Sequence, residues 1–479
     1  MFILVYGQKV MSGIPLPSEI EVVNLGLSLF GDAVREQGRP VIQVDWRIPA
    51  DGEPNLVAAL SRLYGRQSAV IDEANAEVAR RLDEGSPKLV GIETALDVVP
   101  GIDDRTIFHS GPAIAWADLA DPLRRSVRAA TMAEGWAGTP DEVDSLMEQG
   151  EVRLEPANHH QAVVPMASAI GPSAPMFVVE NEAGGTRSYS SMNQGPGEVA
   201  WFGRETPAAV ERLVFLREVA GPLFAQCIRE SGPIDILTLA SQGLQMGDEM
   251  HMRTQATTNL LIRALLPQLM AIDNPRKVEL GKFLAGNHLF FLNLAMAAAK
   301  SLTLWAEQVP NSSVVTTMSR NGATYGVRLA GDERWFITES PSVGKAIYYA
   351  GFGPEDGAPD IGDSAILELC GLGGAAAAAS PAVAAFVGGT MRDAIALTED
   401  MDRVCVARSS RFKLPALEFQ GTPIAVDVRK VVELGITPKV NTGILHARDG
   451  TGQVGAGVAE APIACFKEAL LDLDRRLSG

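Results

Sequence analysis

Cysteine is scarce in this 479-residue sequence: four residues, Cys227, Cys370, Cys405 and Cys465, with no two at CxxC spacing. Such scatter excludes a disulfide framework and a cysteine-based zinc site, and it fits buried thiols in a reducing cytoplasm. Aromatic residues are also few, at 6%. With abundant Ala and Gly, that points to tightly packed helices and close backbone approaches. Positive charge is in deficit: 41 Lys and Arg against 58 Asp and Glu leave a formal net charge of −17. The deficit argues against a nucleic-acid partner, because phosphate neutralisation needs clustered cations. No apolar run reaches the roughly 20 residues of a membrane span. The Ala-rich stretch near residue 375 is broken by Ser380-Pro381, and Met1-Phe2-Ile3-Leu4-Val5 is too short for a signal segment. A cytoplasmic protein with no membrane partner is expected. GxSxG, GxxxxGK[ST] and HExxH are missing too, so hydrolase-elbow, P-loop and zincin chemistries lose support.

What is present reads as α/β. The length suffices for two or three domains. Val22-Val23-Asn24-Leu25, a helical segment from Asp32 to Gln37, and Val41 to Trp46 make a strand–helix–strand unit, which implies a parallel, Rossmann-like sheet over residues 20–150. A long helical pattern from Leu56 to Leu82 follows, then a strand at Lys88–Ile92. A largely helical middle is expected over 151–345, holding a strand at Met176–Val179, an apolar helix from Phe283 to Trp305 and a hairpin around Asn321-Gly322. A Gly-rich α/β part over 346–479 ends in an amphipathic helix, Ala464–Leu477.

The most informative stretch runs from Gln242 into Leu266 and reads as one long helix. On it Asp248, His251, Gln255 and Asn259 fall on one side, next to a Leu/Met/Ile face that must be buried. Buried ionisable groups cost several kcal/mol unless partnered, so they mark either a satisfied network, with Glu249 pairing Arg253, or a cleft where Asp248 and His251 act as acid and base. One Asp and one His supply too few ligands for a metal. On the Phe283 helix, Asn293 and Lys300 share a face; Lys300 either snorkels from the helix end or meets an anionic substrate.

Further anion-binding candidates are Asp363 and Ser364, the pair Gly373-Gly374 leading into an Ala-rich helix, and Arg320-Asn321 at the hairpin tip. Each has an ordinary loop or turn reading beside it. Gly450-Thr451-Gly452-Gln453-Val454-Gly455 matches GxGxxG, yet the chain ends one helix later, so no dinucleotide fold can follow. A turn there would instead let Asn441 or His446 reach a site. His159-His160 are adjacent, and neighbouring side chains diverge, which disfavours a metal pair.

Several of these segments, in their order, carry a resemblance. They include Val99-Pro100-Gly101, His109-Ser110-Gly111-Pro112, Met246-Gly247-Asp248-Glu249 and Val314 to Gly322. Asp360-Ile361-Gly362-Asp363-Ser364, Val387-Gly388-Gly389-Thr390, Asn441-Thr442 and Pro462 to Phe466 continue the series. The chain resembles the YlbE/YahG/AllG family over nearly its whole length. The resemblance implies a cytosolic subunit with an FdrA-like partner similar to acyl-CoA synthetase subunits. The implied reaction is carbamoyl transfer in allantoin breakdown, in which oxalurate and phosphate give oxamate and carbamoyl phosphate. No cofactor is implied beyond phosphate or carbamoyl phosphate as co-substrate.

On this reading Arg320, Lys300 and Gly373-Gly374 would hold phosphate and the substrate carboxylate, and His251 or Asp248 would carry the proton. A homo-oligomer is expected. The alternative is a non-catalytic scaffold or regulatory subunit whose pocket binds a small anion.

Overall fold

In the computed structural model, residues 22–44, 48–386 and 389–478 are described. The Met1–Val5 segment, Asp45-Trp46 at the end of the second expected strand, and Val387-Gly388 lie outside them.

Val22–Leu25 and Val41–Val44 pair in parallel, joined by the helix Ser28–Glu36, as the strand–helix–strand pattern requires. The next strand, Pro87–Thr94, turns elsewhere: it lies antiparallel to Pro175–Asn181 in a five-stranded sheet completed by Ile234–Asp235, Thr186–Ser191 and Ala162–Val163. The protein is mixed α/β, with parallel and antiparallel pairings in several open sheets.

The helix Phe290–Ala306 covers that sheet and is buried on almost every side. Its run of Ala295 and Ala297–Ala299 lets strands and neighbouring helices approach closely, and Ser188 Oγ reaches across to donate to the Ala297 carbonyl at 2.6 Å. A helix apolar all round belongs in a core. No single described helix is long and apolar enough to cross a membrane; Lys277–Gly286 and Phe290–Ala306 pass together only as a pair bent by 81°.

The Asn321-Gly322 hairpin forms between Val315–Asn321 and Thr324–Leu329, with Gly322 at φ +82° as the turn demands. It is extended by Phe336–Glu339 on one side and Ile361–Gly362 on the other. Lys439–Leu445, Gln453–Glu460 and Lys345–Tyr348 make a three-stranded sheet, while the C-terminal helix Ile463–Ser478 packs on the hairpin sheet and on the helices Pro54–Tyr64 and Val428–Leu434.

Two expected helices are each broken in two. Leu56–Leu82 divides into Pro54–Tyr64 and Ser68–Glu84 at Gly65, whose ψ of −109° is not helical. The Phe283 helix breaks at Asn287, so Phe283 itself sits on the preceding helix.

Early and late parts of the chain are tied together. Asn75, buried on Ser68–Glu84, donates to Ser313 Oγ at 2.8 Å and Asp427 at 3.1 Å, and accepts from Ser312 Oγ and the Ser313 amide. Arg62 forks onto Asp474, and Arg429 reaches Asp72 at 2.8 Å. All four cysteines are free and buried, and burial pushes the Cys227 thiol up to about 11.

Candidate functional site

The stretch expected to be one helix is two. Ile236–Gln245 ends, the chain turns through Gly247 at φ +96°, and a new helix, Gln255–Ala271, begins. Asp248 and His251 therefore sit in the connecting loop, and Gln255 and Asn259 are exposed on the second helix. The shared helical face does not exist.

Asp248 instead caps the new helix: its Oδ2 accepts from the Thr257 amide at 2.7 Å and Thr257 Oγ1 at 2.8 Å. A carboxylate is favourable there because the first-turn N–H groups lack intrahelical partners. Burial nevertheless raises its carboxyl above the ordinary aspartate value.

Glu249 is not paired with Arg253 side chain to side chain. Its Oε1 accepts the backbone N–H groups of His251, Met252 and Arg253, while Oε2 accepts from Asn441 Nδ2 at 2.8 Å. The turn that permits this puts Met250 at φ +76°, a left-handed conformation unusual for a buried side chain.

The loop so fixed presents His251. Its Nδ1 lies 2.7 Å from Glu368 Oε1, and both residues are buried. The same Glu368 oxygen accepts the Gly374 amide at 3.0 Å, and the Gly373 amide donates to the Glu249 carbonyl at 2.6 Å. These two amides are thus spent inside the protein, and no phosphate cradle is left at Gly373-Gly374. The glycines provide room: a Cβ on Gly373 would stand 2.1 Å from Glu368 Oε1, and one on Gly374 2.0 Å from the Lys439 carbonyl oxygen.

His251 lines a small pocket that is partly open to solvent. Its wall is mostly apolar, with Met166, Trp201, Phe202 and Leu292, and Trp201 stacks on Phe202 at 4.6 Å. Ser364 also lines it, with an Oγ that is buried and without a hydrogen-bond partner among the described residues. No lining residue is cationic. When Nδ1–H donates to Glu368, Nε2 is the remaining ring nitrogen and in that tautomer an acceptor, with no hydrogen-bond partner among the described residues.

The other candidates lie apart from this cavity. Arg320 is wholly buried rather than at a solvated tip; it forks onto Asp360 at 2.8 and 3.0 Å and donates to the Gly362 carbonyl at 2.7 Å, which commits its guanidinium internally. Asn321 holds the hairpin turn, accepting from the Ala323 and Thr324 amides. Asn293 donates to the Ser191 carbonyl and accepts from Asn193.

Lys300 does not snorkel. It lies well inside its helix, fully buried, with Nζ 3.9 Å from Glu307 and no hydrogen bond among the described residues. Asp363 gathers the Gly111 and Val164 amides and Ser319 Oγ, and burial pushes its carboxyl up to about 6 despite those donors.

His159 accepts from the Trp335 indole while His160 stacks on Phe108, so the two side chains diverge. No group of three or more metal-ligating side chains occurs among the described residues.

The sequence reading missed Glu368. Its signal was a single acid inside the apolar run Ile366-Leu367-Glu368-Leu369-Cys370.

Comparison with known proteins bears on the same region. Residues 152–364, which hold His251 and Ser364, match a family model described as "Oxamate carbamoyltransferase subunit AllG". The chain is 38% identical to a protein of that same name from Escherichia coli (strain K12) over 406 residues, 84% of this chain and 97% of the relative. It is 35% identical over 458 residues to "Uncharacterized protein YahG" of the same strain, covering 94% of this chain and 96% of the relative. A crystal structure of a conserved protein of unknown function from Enterococcus faecalis V583 superposes with a TM-score of 0.83 at 34% identity, covering 86% of this chain and 98% of the other.

Proposed function

The chain belongs to the YahG/AllG family, and from that premise we propose that it is a subunit of a carbamoyl-transfer assembly acting on a small carboxylated amide such as oxalurate. The observation that carries the reading is the buried His251–Glu368 pair opening onto a cavity that also holds the unpartnered Ser364 hydroxyl.

The chemistry balances with one proton carrier. An oxygen of hydrogen phosphate attacks the carbamoyl carbon of oxalurate, and the bond from that carbon to the oxamate nitrogen breaks. The proton lost by the phosphate is taken by His251 Nε2 and returned to the departing nitrogen, giving carbamoyl phosphate and oxamate. Glu368 fixes the imidazole and offsets its transient charge. Ser364 Oγ is suited to hold an amide oxygen or N–H of the substrate.

The cavity lacks a cationic lining residue, and both oxalurate and phosphate are anions. The missing positive charge is supplied, on this reading, by an FdrA-like partner subunit, which agrees with the word "subunit" in the relative's name. The same lack of charge favours a second reading, in which the cavity is a non-catalytic anchoring site beside a partner's own active centre.

The two separate in an assay of phosphate-dependent oxalurate consumption by the purified chain, alone and with its FdrA-like neighbour. Activity is expected only in the mixture, with His251→Gln lowering kcat by about 10²–10⁴-fold and Glu368→Gln acting in the same direction. Full kcat in both variants of a folded, assembled protein would transfer the chemistry to the partner.

A further inference from the structure

A second pocket, small and partly open to solvent, shares no lining residue with the first. It lies between the helix Asp121–Ala133, the turn around Gly171–Ala174, the end of the strand Thr186–Ser191, and a wide helical turn, Leu216–Ala220. The wide turn has a cause in the sequence. Pro222 has no N–H to donate four residues back, so the helical ladder is opened where Pro207–Phe215 passes into Gly221–Ser231. Single π-type turns of this kind are frequent at functional sites.

Two opposite charges line the cavity without meeting. The Glu134 carboxylate is fixed through one oxygen only: Oε1 accepts from the Ser173 amide at 3.0 Å and Ser173 Oγ at 2.8 Å. A Cβ on Gly171 would stand 2.2 Å from that oxygen, so the glycine allows the carboxylate to lie against the turn and leaves Oε2 for another donor.

Arg217 is held by the Ala133 carbonyl at 2.7 Å and by a mostly exposed Glu218 at 3.0 Å, which leaves most of its five N–H donors unspent. No ion pair joins Arg217 to Glu134 among the described residues. Small residues, Ala130, Ala133 and Ala174, keep the space between them open.

We propose that this cavity is a second ligand site, taking a small carboxylic acid that also carries an N–H donor, either an α-amino acid or a carboxylated amide. Arg217 forks onto the carboxylate, and Glu134 Oε2 accepts the N–H. Gln194, also on the wall, spends its Oε1 on the Trp201 amide at 3.0 Å and keeps its NH₂ for a ligand oxygen. Because Trp201 lines the first cavity, that one hydrogen bond connects the two sites.

Isothermal titration of the full chain with oxamate, alanine and propionate tests the assignment. Saturable one-to-one binding of alanine or oxamate is expected, with propionate, which has the carboxylate but no N–H, weaker by about tenfold or more. Arg217→Met weakens alanine binding by at least about tenfold, whereas His251→Gln in the first cavity leaves alanine binding unchanged. Glu134→Gln weakens alanine, whose ammonium loses its counter-charge, more than oxamate, whose neutral N–H can still donate to the glutamine oxygen. Both cavity variants are to retain the wild-type thermal midpoint. The proposal is overturned if neither probe saturates below about 10 mM, if propionate binds as well as the others, or if His251→Gln abolishes binding that Arg217→Met leaves intact.

Discussion

Lys300 carries an ammonium group to a place where water does not reach and no hydrogen bond meets it among the described residues. Glu307, 3.9 Å away, is its nearest opposite charge, and that carboxylate already has Thr317 Oγ1 at 3.2 Å and Arg328 at 3.8 Å. Removing the lysine therefore does not orphan its neighbour. A buried ammonium without hydrogen bonds carries an uncompensated desolvation cost, which an apolar side chain of similar volume removes. Lys300→Met should accordingly raise the denaturation midpoint in urea.

The sign of the pH dependence follows. Burial holds the Lys300 ammonium below its ordinary 10.5, so above the folded value the unfolded chain binds more protons than the native one, and wild-type stability rises with pH up to about 10.5. The margin of the methionine variant over the wild type should narrow across that window. Arg320 is the opposite case. Its five donors cannot be deprotonated, and its fork onto Asp360 is further braced by Thr442 Oγ1 at 2.9 Å from the same carboxylate.

At the scale of elements, two glycines set the position of the histidine. The short helical segment Gly373–Ala379 approaches Lys439–Leu445 so closely that Gly374→Ala would press a methyl group onto a backbone carbonyl that cannot rotate away. Destabilisation by about 1–3 kcal/mol is expected, with a matching loss of whatever activity depends on His251; the measure is the unfolding midpoint alongside the oxalurate assay.

Elements were legible in the sequence where a local rule decides them. The Asn321-Gly322 turn, the strands at Val22 and Val41, and the C-terminal helix all obey turn chemistry or periodicity. The break after Gln245 was not legible in that way, because Leu244, Met250, Leu261 and Leu265 keep an apolar rhythm across it. What decides against a continuous helix begins locally: Asp248 and Glu249 accept loop and first-turn amides that a helix interior would have withheld. The polar groups that drew attention to the stretch were thus correctly identified as unusual, while their arrangement was set by Glu368 and Asn441, distant in sequence.

For the whole molecule, the joint at Asn75 matters most. All its amide atoms are bonded, to Ser312, Ser313 and Asp427, so it couples an early helix, the hairpin sheet and the C-terminal part. Asn75→Ala leaves several buried partners unsatisfied and should lower stability by about 2–4 kcal/mol. Hydrogen exchange is expected to accelerate together in Ser68–Glu84 and Val428–Leu434; acceleration confined to the first helix would show that the joint does not couple them.

The same joint imposes a schedule on synthesis. Asn75 and Asp427 are 352 residues apart, so at roughly 5–20 residues per second a ribosome delivers the second about 20–70 s after the first. Throughout that interval Ile71, Val78 and Leu82 wait without their full cover, since the helix Phe290–Ala306 and then the C-terminal elements must arrive to seal them. The nascent chain therefore carries these apolar positions incompletely covered for most of its time on the ribosome.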